Sequence, residues 1–121
     1  MAAQTFDPAF YSLKSGELSQ KVNIAVTIIN RWRGYFIVPE ALAAQNPENN
    51  RWYYHPTAAE WVNLGQKVLR WKAPEQAIGR VFRKAIANTS NDLPAALECL
   101  KKAYDAAKDF NEFEALIDKG C

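Results

Sequence analysis

A chain of 121 residues, 49% apolar and 12% aromatic with a formal net charge of +2, is most simply one domain able to bury its own core. That composition excludes disorder along the whole length, which goes with low hydrophobicity and high net charge. The longest apolar runs, such as Tyr35-Phe36-Ile37-Val38, fall far short of the roughly 20 residues that a membrane-spanning helix needs.

Met1 to Gln4 lacks the basic region and apolar run of a signal peptide. A cytoplasmic protein is therefore expected, with residues 1–5 frayed or forming an arm. Asp7-Pro8 suits a helix start, since aspartate caps and proline fits the first helical position. Phe10, Tyr11 and Leu13 would anchor a short turn of helix, ended by Ser15-Gly16. From Glu17 to Arg33 the apolar residues Leu18, Val22, Ala25, Ile29 and Trp32 recur at spacings of three and four. The period predicts one long helix, with Gly34 at the left-handed cap position.

Tyr35 to Val38 is either extended or the opening of another helix. Pro39 at a first helical position favours a short helix through Glu40 to Gln45, and residues 46–50 (Asn-Pro-Glu-Asn-Asn) form a loop. The aromatic run Arg51-Trp52-Tyr53-Tyr54-His55 leads into Thr57-x-x-Glu60, a capping-box pattern. A helix is predicted from Ala58 to Lys72, with Trp61, Leu64, Val68 and Trp71 as its apolar stripe. Gly65 inside it permits close helix approach. Pro74 starts another helix to about Ala87, with Ala77, Ile78, Val81, Phe82, Ala85 and Ile86 inward. Residues 88–92 form a polar loop, Leu93 to Lys108 a helix, and Asn111 with Glu114 caps a last short one. The fold class expected is all-α: a compact single-domain bundle of five or six helices, with no convincing strand pair.

Cys99 falls inside a helical pattern and Cys121 is the last residue. They are expected to be buried or idle thiols, because a disulfide requires the terminus to fold back. One histidine and two scattered cysteines give no metal-ligand spacing, so no metal and no cofactor is expected. His55 alone offers a base, beside no nucleophile pattern, and no glycine-rich phosphate loop occurs. The chain is expected not to be an enzyme.

Charge is the stronger signal. Residues 21–84 carry ten Lys/Arg against four Asp/Glu, whereas residues 85–121 carry four against seven. A basic middle beside an acidic end fits a polyanion partner or head-to-tail contact between copies. Lys67 and Arg70 share a helix face, as do Arg80, Arg83 and Lys84. With Lys72, Arg31 and Arg33 they are the candidate phosphate contacts, which give affinity and register rather than sequence choice. The interleaved cations and aromatics of Arg31-Trp32-Arg33 and Arg51-Trp52-Tyr53-Tyr54 suit core packing, base stacking or a protein interface. Trp52 and Tyr53 are the candidates for subunit docking.

In its size, helix content and basic segments (Arg31-Trp32-Arg33 and Lys67 to Lys84), the chain resembles the small helical subunit of CRISPR effector complexes. It is similar in particular to the C-terminal part of the type I-D large subunit. The resemblance implies a non-catalytic structural role in an RNA-guided surveillance complex. Its partners there would be neighbouring subunits, further copies of itself, guide RNA and target nucleic acid held by the backbone, with sequence choice left to base pairing. The alternative is a helical protein–protein interaction module, an adaptor or inhibitor, that touches no nucleic acid.

Overall fold

The periodicity from Glu17 to Arg33 runs across a break. In the computed structural model, which describes residues 6–120, two helices stand where one is expected: α1 (Ser15–Val22) and α2 (Val26–Gly34). Asn23 between them is left-handed, with φ 57° and ψ 46°, a conformation asparagine tolerates better than other side chains. The Ile24 N–H then reaches back to the Ser19 carbonyl at 3.2 Å and closes the helix end. The spacing conceals the break because Leu18 and Val22 of α1, and Ile29 and Trp32 of α2, all enter one core.

The end of α2 also departs from expectation. Gly34 remains helical, and Phe36 takes the left-handed cap position at φ 65°. The Phe36 N–H bonds the Arg33 carbonyl (3.1 Å) and the Ile37 N–H bonds the Trp32 carbonyl (3.0 Å), the paired bonds of a Schellman cap. For a residue with a Cβ this conformation costs about 1–2 kcal/mol. Residues 35–38 are thus neither strand nor helix, and the cap turns Ile37 and Val38 into the core.

A small sheet corrects the expectation of no strand pair. Strands β1 (Leu13–Lys14), β2 (Ala43–Gln45) and β3 (Trp52–Tyr54) pair antiparallel in the order β1-β3-β2. Tyr54 lies opposite both Leu13 and Ala43. The aromatic run that forms β3 packs well on a pleated surface, and the loop expected at 46–50 joins it to β2. The helix expected to reach Gln45 stops after a single 3-10 turn, Glu40–Leu42. The helix expected at Asp7-Pro8 is likewise one turn, held by the Tyr11 N–H on the Asp7 carbonyl (2.8 Å). The arm expected at residues 1–5 lies outside the described residues.

The remaining helices are α3 (Ala58–Leu69), α4 (Glu75–Asn88), α5 (Leu93–Ala106) and α6 (Phe110–Gly120). Six helices among the described residues make the protein an all-α bundle with a small sheet at one side. The buried faces of α3 and α4 are those expected, from Trp61, Leu64 and Val68 to Ile78, Val81 and Phe82. Two residues depart from this: Ile86 is half-buried at a surface groove, and Trp71 lies beyond the end of α3, half-buried, with its ring 4.8 Å from that of Tyr104 and 5.6 Å from that of Phe113. The capping box at Thr57 does not form. Thr57 is itself helical, its hydroxyl pairs with His55 Nδ1 at 2.8 Å, and Glu60 pairs with Lys101. Working caps stand at Asp92, which accepts from the Ala95 N–H, and at Asp109, which accepts from the Glu112 N–H in place of the expected Asn111–Glu114 pair.

Two glycines set how closely the helices meet. A Cβ on Gly65 would lie 2.8 Å from Ile37 Cγ2 and 3.0 Å from Trp32 Cζ3, so α3 does use its glycine for close approach. A Cβ on Gly79 would run into the backbone carbonyl of Tyr35: α4 lies directly on the cap of α2. Cys99 is disulfide-bonded, which corrects the expectation of an idle thiol there. Cys121 lies outside the described residues. A disulfide belongs to oxidising compartments in most proteins, so the cysteines lend no support to a cytoplasmic address. Among the described residues no helix is long and apolar enough to cross a membrane.

Candidate nucleic-acid interface

Position 32 of α2 points into the core, so positions 31 and 33 emerge on either side of it. Arg31 goes to α4, where its guanidinium makes two bonds to the Glu75 carboxylate (2.7 and 2.9 Å). Arg33 goes to the sheet. It sits over the Trp52 ring, 3.9 Å from the centroid, and donates to the Tyr54 hydroxyl (2.7 Å) and to Asn30 Oδ1 (2.9 Å). The two arginines that flank Trp32 in sequence therefore serve different surfaces.

The basic face expected on α4 divides in the same way. Arg80 makes two bonds to Glu114 of α6, and Lys84 bridges Glu114 (2.8 Å) and Asp118 (3.2 Å). Two cations and two carboxylates in one cluster leave no net charge there to attract a phosphate. Arg83 stands apart from them. Its guanidinium lies 4.7 Å from the Phe36 centroid, and among the described residues it makes no ion pair. Lys67, Arg70 and Lys72, at the end of α3 and in the turn after it, are exposed, and among the described residues none makes an ion pair.

Phe36 ties the second arginine to the first. It lines a groove of about 530 Å³ with Arg83, Ile86 and Leu93. It also lines a second groove, of about 480 Å³, with Arg33, Ala44 and Trp52, and the Glu40 carboxylate borders both grooves. Trp52 continues into a third, where Arg51, Tyr53 and Lys14 follow. The result is a surface on which arginine and aromatic ring alternate: Arg83, Phe36, Arg33, Trp52, Arg51. Of the eight basic residues singled out by sequence, the structure brings only Arg33 and Arg83 onto this surface. Arg31, Arg80 and Lys84 are held in ion pairs, and Lys67, Arg70 and Lys72 lie elsewhere.

Of the two docking candidates, Trp52 is half-buried beneath Arg33. Tyr53, also half-buried, accepts from Asn49 Nδ2 at 3.1 Å. Phe36 was hidden in the sequence, because nothing local marks it as the cap residue when Gly34 stands two positions before it. His55 supports the turn into α3, its Nδ1 receiving the Thr57 N–H (3.1 Å).

The chain matches no family model, no curated protein and no solved structure at a significant level. Site geometry alone therefore bears on what this surface does.

The ion pairs make stability depend on pH. Hydrogen bonds from Arg31 hold the Glu75 carboxyl below its usual range, and those from Arg80 and then Lys84 do the same for Glu114. A carboxylate whose folded pKa is depressed stabilises the fold above its ordinary pKa. That contribution is lost as pH falls through the depressed value. Both glutamates are partly exposed, so each contributes modestly, on the order of 1 kcal/mol or less. Thermal melts are expected to give a Tm that is flat near neutrality and falls below about pH 4.5, the ordinary carboxylate range. The double variant Glu75→Gln, Glu114→Gln should start lower and lose less on acidification. An equally steep acid fall in that variant would assign the loss to other carboxylates.

Proposed function

We propose that this chain is a non-catalytic subunit of a nucleic-acid-guided assembly of the CRISPR effector kind that its sequence resembles, and that it holds nucleic acid by the backbone. One observation supports it most: the run of adjoining grooves from Arg83 past Phe36 and Arg33 to Trp52, on which neither arginine makes an ion pair among the described residues, although the Glu40 carboxylate lines two of those grooves. Arginine on such a surface meets phosphate through paired N–H donors, while aromatic neighbours exclude water around it. Lys67, Arg70 and Lys72 form a second, separate contact. The neutralised clusters at Glu75 and Glu114 serve the fold instead. Neighbouring subunits, further copies of the chain, guide RNA and target strand are the partners this role requires.

A titration of the isolated chain with fluorescent guide–target duplex and with single strands tests this. Binding should be weak and should fall steeply as salt rises from about 50 to about 200 mM. Charge reversal at Arg33 and Arg83 together should weaken it about tenfold or more. Reversal that leaves affinity unchanged, in the isolated chain and in an assembled complex, would remove this surface from the proposal.

A second reading has its own observation. Phe10 is 41% exposed, the one large apolar side chain so open among the described residues. Its ring lies 4.4 Å from that of His55, near the groove of Phe6, Tyr11 and Tyr53. A protein-interaction module without nucleic acid would use this corner as its hot spot. Partner capture would then be insensitive to moderate salt and lost on Phe10→Ser.

A further inference from the structure

Phe36 is strained where strain is easily avoided. Glycine is the ordinary residue at a Schellman cap, and asparagine the usual substitute. This chain places a phenylalanine there, at φ 65°. Nor is the ring needed to fill the core, for Phe36 is only half-buried and is absent from the cluster of buried residues. Six residues other than glycine are left-handed among the described residues, and Phe36 is the one aromatic residue of the six; strain of this kind clusters where it serves a site. What it achieves here is to hold one aromatic ring in two grooves at once, under the Arg83 guanidinium. The Arg33–Trp52 pair repeats that arrangement in the adjoining groove.

We infer that this surface takes an unpaired nucleic-acid strand, with bases stacked at the Arg83–Phe36 and Arg33–Trp52 pairs and phosphates met by the same arginines. The inference rests on the nucleic-acid role proposed above and specifies the form bound. A duplex keeps its base faces within its own stack, so an aromatic ring gains nothing from it beyond contact with sugar and phosphate. An unpaired base has a free face, and both rings and guanidinium planes accept it. Groove openings lined by Phe36 and Trp52 therefore favour a strand whose bases are free, without choosing among base types.

The test uses the whole chain and two fluorescent probes of mixed sequence, a single strand and the same strand paired with its complement. The single strand should bind at least about tenfold tighter at equal salt, as stacking contributions predict. Phe36→Gly removes the ring and relieves the backbone, so its Tm should not fall, while single-strand affinity drops about tenfold and duplex affinity holds. Arg83→Gln, on an exposed position, should weaken both probes and lower the salt slope. Equal affinity for the two probes, or a Phe36→Gly variant that keeps its single-strand affinity, overturns the inference and leaves backbone binding in place. Binding to neither probe at low salt overturns both.

Discussion

Gly79→Ala is expected to remove about 4 kcal/mol of stability or more, enough to lower Tm by roughly 15–25 °C or to abolish folding. Alanine is a better helix former than glycine by about 1 kcal/mol, so in the middle of α4 the substitution would ordinarily stabilise. Here the added Cβ falls within the Tyr35 carbonyl oxygen and 2.9 Å from its carbon. These are backbone atoms in the Schellman cap of α2, and no side-chain rotation relieves them. Either α4 lifts from the cap or the cap opens, and each outcome uncovers core around Ile78 and Phe82. Gly65→Ala is milder, because it meets Ile37 Cγ2 and the edge of Trp32, which can shift by tenths of an ångström. About 1–3 kcal/mol is expected there. Gly16→Ala meets nothing within 4 Å and should stabilise α1 slightly. Denaturant melts of the three variants give the order directly. A Gly79→Ala protein as stable as the parent would mean that α4 does not rest on the Tyr35 carbonyl.

That order also marks what was legible in the sequence and what was not. Helical period located the buried faces of α3 and α4, since burial on one side of a helix leaves a 3.6-residue trace. It failed at Asn23, because a cap that keeps both helices on the same core leaves the trace intact. It failed for the sheet because three strands of two or three residues are too short to show alternation. Gly79 carried no local mark, for what makes it necessary is a carbonyl 44 positions away in the chain. The basic residues were visible as charges, but their partners were not: Glu75 and Glu114 are distant in sequence from Arg31 and from Arg80. A count of cations therefore overstated the basic face. The arginine–aromatic pairs were half legible, with Arg33 and Trp52 singled out separately and Phe36 unseen.

The four tryptophans should divide sharply when truncated, with Trp32 and Trp61, each 1% exposed, on the costly side. Trp32→Ala is expected to cost about 4–5 kcal/mol, against about 1 kcal/mol for Trp52→Ala. Trp32 is 1% exposed and packs against the Gly65 backbone and Ile37. Helix, cap and α3 all close on it, so no neighbour can fill the space without moving α3. Its buried Nε1 makes no hydrogen bond of ordinary geometry among the described residues and acts instead on the nearby Glu75 carboxylate; truncation gives up that weak contact without approaching the loss of packing. Trp52 is half-buried, packed on the edge of the core with the Arg33 guanidinium over its ring. Loss of Trp52 should thus weaken nucleic-acid binding while sparing the fold. Loss of Trp32 should do both, because Arg31 and Arg33 diverge from the helix turn that Trp32 anchors. Urea melts separate the two variants on stability, and single-strand titration on binding. Equal stability losses at positions 32 and 52 would contradict the assignment of one ring to the core and the other to the surface.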